Sequence, residues 1–320
     1  IPALKVNDLS IWFEKGPDRH RVVDQISFAI NPGEATGLVG ESGCGKTMTA
    51  LAILGLLPAA GVIAKSAGIE VNGKDISRLS TIQRRKVLGR DIAMIFQQPG
   101  TALDPVFTIG QQIGSVYRRH HGGTRRHIRQ AMLDSLEAAG FSQPEEIAAA
   151  YPHQLSGGMR QLAMIAMATV CKPAVIIADE PTTSLDGTTR ALILHQLELL
   201  RKRHRTAILL VSHDLTVVRH TCQNILVMYC GRLLEKASCP SLFAHARHPY
   251  SAGLLSCIPE ISEQRPSAIQ SIPGQVPPLA ELPPGCHYAP RCPRAEPACE
   301  SSVPPLVSDN SRDVACFRPI

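Results

Sequence analysis

Eight residues near the start of the chain combine glycines with a lysine and a threonine at a fixed spacing. The stretch GESGCGKT, residues 40–47, matches the pattern G-x-x-x-x-G-K-[ST]. Glycines let backbone N–H groups point at a phosphate, while the lysine and the threonine hydroxyl can reach the terminal phosphates and Mg²⁺. We therefore expect Lys46 and Thr47 to bind a nucleoside triphosphate with its magnesium ion. The other expected contacts come from Gly40, Ser42, Gly43, Cys44, Gly45 and Met48.

Two adjacent carboxylates end an apolar run later in the chain, AVIIADE at 174–180. At the end of a strand Asp179 could hold Mg²⁺, directly or through water. Glu180 could take a proton from an attacking water. The alternative is that both carboxylates only cap the next turn. A phosphate loop in the same chain favours the hydrolytic interpretation.

Short strands must position these residues. Residues 25–30 and 34–40 are predicted strands joined by the turn at 31–33, and Asn72-Gly73 predicts a hairpin turn within 68–76. Fully apolar runs at 174–178, 207–211 and 225–228 are typical of a parallel sheet buried on both faces. Between 98 and 171 the pattern becomes helical. One helix is predicted over 126–140, with a face of Ile128, Met132, Leu133 and Leu136.

Composition indicates a globular α/β chain with a distinct tail. Of its 320 residues 44% are hydrophobic and 19% charged, and the net charge of +6 is too weak to argue for nucleic acid alone. Residues 241–320 hold 14 of the 25 prolines and 5 of the 10 cysteines, which predicts a boundary near residue 240. The opening residues lack the basic and apolar regions of a secretory signal, and we expect a cytoplasmic chain without a membrane span.

A third motif, QLSGGMRQ at 154–161, makes the chain resemble the ATPase subunits of ABC transporters, whose signature has the form LSGGQ. The resemblance covers about residues 1–240. It implies a phosphate-loop ATPase fold: a RecA-like core with an antiparallel β subdomain and an inserted helical subdomain, here about 98–171. It also implies that Ser156, Gly157 and Gly158 contact ATP held by a second, homologous ATPase subunit, so that ATP lies between two chains.

The resemblance extends to single residues. It assigns Gln97 to sensing the γ-phosphate and Mg²⁺, Asp186 in TSLD to the dimer contact, and His213 to holding the γ-phosphate and positioning Glu180. Phe13 is the predicted aromatic partner of adenine, with the neighbouring Trp12 as the alternative, although a core role for Phe13 is as good an interpretation. The departures, Met159 in the signature, Gln98 and Cys44, remove no catalytic group.

The tail resembles the C-terminal extension of peptide/nickel/opine import ATPases, in residues 245–259 and 272–292 and in the trio His248-Pro249-Tyr250. That likeness implies a complex with two membrane-spanning permease subunits, a solute-binding protein and a second ATPase that is usually different. The chain would lie peripherally on the cytoplasmic face of the inner membrane. Dipeptides, longer peptides, glutathione and nickel or another chelated metal all remain possible solutes.

Four tail cysteines could bind metal. They are separated by 5, 6 and 16 residues, without the close pairs typical of structural zinc. Some members of the resembled family hold a 4Fe–4S cluster in this extension, and we expect one here, with zinc or metal-free thiols as alternatives. The expected ligands are Cys286, Cys292, Cys299 and Cys316.

Two other classes of protein stay open at this stage. One is an ABC-type ATPase acting on nucleic acid, which the single cassette and modest charge disfavour. The other is a redox or metal sensor switched by nucleotide, which Glu180 and His213 disfavour. The histidines of RRHHGGTRRH, 118–127, could suggest a metal sensor, but a solvated basic loop is the better interpretation.

Overall fold

The structure is a computed structural model that describes residues 1–15, 18–64, 67–183, 185–258, 271–309 and 312–320. In chain order its strands are β1 Leu4–Lys15, β2 Asp18–Ile30, β3 Ala35–Val39, β4 Gly61–Ile63, β5 Gly68–Val71, β6 Lys74–Asp75, β7 Ile92–Ile95, β8 Val175–Asp179, β9 Ala207–Ser212, β10 Asn224–Tyr229, β11 Arg232–Ser238, β12 Val307–Asp309 and β13 Arg312–Val314.

The α-helices, again in chain order, are α1 Lys46–Leu54, α2 Thr81–Val87, α3 Pro99–Ala102, α4 Ile109–His121, α5 Arg125–Ala138, α6 Pro144–Ala149, α7 Gly157–Thr169, α8 Gly187–His204, α9 Leu215–Thr221, α10 Cys239–Ala244, α11 Pro249–Ser256 and α12 Pro297–Ser301. Single 3₁₀ turns occupy Pro152–Gln154, Leu279–Glu281 and Ala289–Arg291. Within the described ranges, no helix has the length and apolar character needed to cross a bilayer.

The chain divides into two compact units. The first contains Ile1–Lys5, Ala29–Glu34 and Ile69–Leu209, and the second contains Val6–Phe28, Ala35–Gly68 and Leu210–Ile320. The last passage of the chain from the first unit to the second falls within β9. The predicted boundaries, near residue 240 and around a helical subdomain at about 98–171, stay predictions.

In the first unit, β7 and β8 run parallel, with Ile92 opposite Val175, and β8 is buried along its whole length. Helices α4 to α7 pack against one another over the stretch predicted to be helical. Helix α5 buries Ile128, Met132 and Leu136, as the apolar spacing predicts, but Leu133 is only half-buried. The predicted hairpin is confirmed: β5 and β6 are antiparallel about Asn72 and Gly73.

In the second unit, β10 is parallel to β3 on one side and antiparallel to β11 on the other. The predicted strands at 34–40 and 225–228 are thus confirmed. Strand β13 then adds to β11, and β12 to β13, so the proline-rich tail contributes strands to this sheet. The long N-terminal strands β1 and β2 extend well beyond the single strand predicted at 25–30. Residues 259–270, inside the predicted extension, lie outside the described residues.

Candidate nucleotide site

The glycine-rich loop of the second unit joins a buried strand to a helix. Strand β3 ends at Val39, α1 begins at Lys46, and Gly45 precedes it in the left-handed region with φ of 106°. Gly40 also has a positive φ, of 155°, and a Cβ there would collide with the carbonyl oxygen of Met228. The backbone can come this close to β10 only because Gly40 has no side chain, so the packing requires this glycine of the motif.

The lysine of the loop is buried and directed at the loop backbone. Lys46 is 6% exposed, and its Nζ donates hydrogen bonds to the carbonyl oxygens of Gly40 at 2.8 Å and Glu41 at 2.9 Å. The Sγ atom of Cys44 lies 3.7 Å from the same nitrogen, and burial raises the pKa of this thiol. Thr47 is exposed beside Lys46 at the start of α1. The arrangement offers a held cation and N–H groups at a helix start, which suits phosphate binding.

The acid pair lies at the end of β8 in the first unit. Asp179 is 3% exposed, and Glu180 follows in the left-handed region with φ of 45°, which non-glycine residues rarely adopt. One carboxylate oxygen of Glu180 accepts hydrogen bonds of 3.0 Å from the Gln97 amide and 3.0 Å from the Thr183 hydroxyl. These bonds orient the Glu180 carboxylate. Backbone conformations as uncommon as that of Glu180 are concentrated at functional sites.

The signature residues begin helix α7 in the same unit. Ser156 is its N-cap, and its hydroxyl accepts a 3.3 Å hydrogen bond from the Met159 N–H. Gly157 has open space around the position of a Cβ, whereas a Cβ on Gly158 would collide with Thr189. The start of α7 at Gly157 is therefore exposed and unobstructed, while Gly158 allows α8 to approach.

Asp186 begins helix α8. Its carboxylate accepts hydrogen bonds from the N–H groups of Thr188 and Thr189, both at 3.0 Å, and from the Thr189 hydroxyl at 2.7 Å. The bonds from Thr189 lower the pKa of this exposed carboxyl. Residue 184 of the TSLD motif lies outside the described residues.

The remaining predicted nucleotide contacts are in the second unit. His213 is exposed just after β9. Phe13 is half-buried on β1, opposite Gly61 of β4. The guanidinium groups of Arg19 and Arg21 lie over the neighbouring Trp12 ring, at 4.8 and 5.3 Å from its centroid. With its ring already in these cation–π contacts, Trp12 is the weaker candidate for adenine, and Phe13 stays a prediction.

The predicted site residues therefore fall into two groups. In the first unit the structure brings Gln97 into contact with Glu180, and the others there are Ser156, Gly157, Gly158, Asp179 and Asp186. In the second unit are Phe13, His213 and residues 40–48. The sequence analysis did not assign Thr183, the second hydrogen-bond partner of Glu180, although a hydroxyl three residues after the predicted base is a visible signal.

The four expected metal ligands, Cys286, Cys292, Cys299 and Cys316, line one cavity in the second unit. Burial, with smaller contributions from the thiols of Cys299 and Cys292, raises the pKa of Cys286 to about 11. All four thiols are free, and they surround a space of about 10 Å³, room for roughly one water molecule. Among the residues that the structure describes, no group of three or more His, Cys, Asp or Glu side chains is arranged to hold a metal ion.

Comparison with known proteins defines the class of this chain. Residues 23–183 match the model of the ABC transporter family, and residues 234–299 match the oligopeptide/dipeptide transporter C-terminal region. The chain belongs to the ABC transporter family, and it is an ATPase subunit of that family. The predicted fold class is confirmed. Nothing in the comparisons supports the nucleic-acid or sensor alternatives.

Curated relatives are similar over their full length. The oligopeptide transport ATP-binding protein AppD of Bacillus subtilis is 42% identical, over 98% of this chain and 96% of the relative. The dipeptide transport ATP-binding protein DppD of Escherichia coli is 40% identical, over 100% of this chain and 98% of the relative. The similarity therefore includes the tail as well as the nucleotide-binding part.

Solved structures share the cassette fold. The dimeric ATP-binding cassette MJ0796 bound to ADP and Pi has a TM-score of 0.66 at 24% identity, covering 74% of this chain and 98% of that chain. CbiO1 from Clostridium perfringens, part of the ABC transporter complex cbiONQ, has a TM-score of 0.65 at 26% identity, covering 76% and 91%.

Proposed function

We propose that this chain powers the import of a peptide-like solute, or of a metal or metallophore, through an inner-membrane ABC transporter. The observation that carries the proposal is the oligopeptide/dipeptide C-terminal match at 234–299 in a chain that also has a phosphate loop and an acid pair. AppD and DppD, similar over nearly their whole length, are named for oligopeptide and dipeptide transport.

The test is ATP turnover by the assembled complex. The chain, its partner ATPase and its permease subunits would be reconstituted in vesicles with the solute-binding protein. Dipeptides, longer peptides, glutathione and chelated nickel would be added in turn, with a Lys46→Ala complex as the control. At least one solute should raise turnover several-fold. Stimulation by nucleic acid, with no response to any of these solutes, would contradict the proposal.

In the proposed mechanism Glu180 is the general base for the attacking water. Gln97 orients its carboxylate, as their 3.0 Å hydrogen bond supports. Lys46 would pair with the β- and γ-phosphates, Thr47, Asp179 and Gln97 would be the ligands of Mg²⁺, and His213 would hold the γ-phosphate. The magnesium ion neutralises charge on the phosphates. Phe13 stacks on adenine.

Two ATPase chains would share each nucleotide. Ser156, Gly157 and Gly158 reach ATP bound to the partner's phosphate loop, and Asp186 lies at the contact between chains. The open space around Gly157 and the free end of α7 support this role. The partner is a second homologous ATPase, as a heterodimer.

Contact with the membrane is proposed to be indirect. Large apolar side chains are exposed within the helical stretch: Val106 at 70%, Phe107 at 49% and Tyr151 at 38%. The segments that carry them meet where the Ile109 N–H donates a 2.9 Å hydrogen bond to the Ala150 carbonyl oxygen. Exposed apolar residues grouped in this way are typical of protein interfaces. Here they would receive the permease subunits, so that the chain lies peripherally on the cytoplasmic face of the inner membrane.

The tail is proposed to hold a 4Fe–4S cluster on Cys286, Cys292, Cys299 and Cys316. Four thiols around one cavity fit the donor set of such a cluster. When bound, the cluster would cross-link a tail poor in apolar residues.

A further inference from the structure

The tail holds the second residue of the phosphate loop by its backbone and by its side chain. The Glu41 N–H donates a 2.9 Å hydrogen bond to the Tyr250 hydroxyl. The Glu41 carboxylate accepts a pair of hydrogen bonds from Arg291, from Nη1 at 2.8 Å and from Nη2 at 3.0 Å. Arg291 is 250 residues from Glu41 in sequence, and both belong to the second unit.

The Arg291 side chain is buried and fixed by several hydrogen bonds. Its side chain is 4% exposed, its Nε donates to the Pro273 carbonyl at 2.8 Å, and its Nη1 also lies 3.3 Å from the Tyr229 hydroxyl. An added side chain on Gly274 would press on the Arg291 side chain. A buried guanidinium with this many fixed partners keeps one orientation, unlike a surface ion pair.

The tyrosines behind Arg291 make the contact rigid. Tyr229 and Tyr250 are fully buried, and with Tyr288 they form a ring cluster with centroid separations of 4.7 to 5.4 Å. Tyr229 ends β10 and Tyr250 lies in α11, so the cluster joins the sheet to the tail. Packed aromatic groups of this kind hold their positions closely.

Glu41 connects Arg291 and Tyr250, which together form a clamp on the loop, to the lysine expected to bind phosphate. Its side chain is bound by Arg291, and its carbonyl oxygen accepts a hydrogen bond from Lys46 Nζ at 2.9 Å. The same nitrogen is bound by the carbonyl of Gly40. A shift of Glu41 would therefore move the backbone that holds Lys46.

We propose that Arg291 is a positioning residue of the nucleotide site. Through Glu41 it holds the phosphate loop in the geometry that receives ATP, so the tail sets the affinity for nucleotide. Arg291 does not act on phosphate itself, because its donors are used by Glu41, Tyr229 and the tail backbone. The proposal rests on ATP binding, not on the identity of the solute or on the cluster.

The test compares variants of the full chain by the Kd for MgATP, by KM and kcat, and by Tm. Arg291→Met should raise Kd and KM about tenfold, because it removes a pair of charge-assisted hydrogen bonds and part of that loss affects ATP binding. The kcat should stay within about threefold of the wild-type value. The Kd of Arg291→Lys should lie between those of wild type and Arg291→Met, because lysine keeps the charge but cannot form the paired hydrogen bonds. The matched control is Arg247→Met, which removes a tail ion pair to Asp309 of 2.6 Å that involves no loop residue.

Two further variants separate positioning from charge. Glu41→Gln keeps one hydrogen bond to Arg291 and should weaken binding less than Arg291→Met. The double variant Glu41→Gln with Arg291→Met should bind no worse than Arg291→Met, because both act through one contact. Wild-type affinity in Arg291→Lys and Glu41→Gln would overturn the proposal even if Arg291→Met failed to fold. Wild-type affinity for MgATP in the double variant would also overturn the proposal. The negative charge left on Glu41 in Arg291→Met would then explain the weaker binding.

Discussion

The side-chain amide of Gln97 donates a 3.0 Å hydrogen bond to the carboxylate of Glu180, across 83 residues of sequence. Gln97 follows β7 and Glu180 follows β8, and these strands run parallel, so both residues leave the same edge of the sheet. Thr183 donates to the same carboxylate oxygen. These two bonds hold the Glu180 carboxylate in one orientation, which suits a general base that acts on a positioned water.

Removing the loop lysine should weaken nucleotide binding. In Lys46→Ala the Kd for MgATP should rise about tenfold or more, because a charge that pairs with phosphates is lost. Equilibrium titration with a fluorescent ATP analogue measures this. Lys74→Ala, at an exposed lysine of β6, is the matched control and should bind as wild type does. Unchanged affinity in Lys46→Ala would refute the assignment of the loop.

The signature serine should act on the other chain's nucleotide. A Ser156→Ala chain mixed with a wild-type partner ATPase should lose hydrolysis at the site formed by the partner's phosphate loop. Because Ser156 also caps α7, Thr124→Ala, which removes the equivalent cap of α5, controls for lost helix stability. Site-resolved nucleotide trapping makes the measurement. A defect confined to the mutant chain's own nucleotide is the contradicting result.

Sequence patterns predicted most residues of the candidate nucleotide site, but they gave no sign that Arg291 contacts Glu41. The spacing of residues 40–47 and the strand that ends at Asp179 are local signals, so both were visible in the chain. The pairing of Arg291 with Glu41 depends on how a proline-rich tail returns to the loop, which no local period encodes. Strands β12 and β13 were missed because each has three residues, too few for an alternating pattern.

An ion pair on α8 should make stability depend on pH. Hydrogen bonds from Arg201, helped by Lys202, lower the pKa of Glu198 to about 2. A lowered carboxyl pKa adds stability above the unfolded value of 4.5, and this is lost as pH falls from 4.5 towards 2. Glu198→Gln should cost under about 1 kcal/mol at pH 7, since the pair is partly exposed. Urea unfolding from pH 7 to pH 3.5 should show that the difference in unfolding free energy between wild type and Glu198→Gln shrinks below about pH 4.5. A difference that stays constant would exclude the ion pair as the cause.

The tail cysteines should bind iron. Protein purified without oxygen should be brown and carry about four irons per chain. Replacing Cys292 with serine should remove the colour and expose the tail to proteolysis, because a fold that depends on metal is lost with it. Cys257→Ser, at a tail cysteine outside the proposed ligands, should stay brown. Colourless anaerobic protein with one zinc per chain would disprove the iron–sulfur proposal.

The central claim, ATP hydrolysis with Glu180 as base, is tested most directly by the turnover of Glu180→Gln in the assembled complex. The amide keeps the shape of the side chain but cannot take a proton, so kcat should fall about 100-fold or more. MgATP should still bind, and the closed dimer should accumulate. Glu145→Gln, at an exposed glutamate of α6, is the matched control and should hydrolyse ATP normally. Turnover by Glu180→Gln at the wild-type rate would contradict the account.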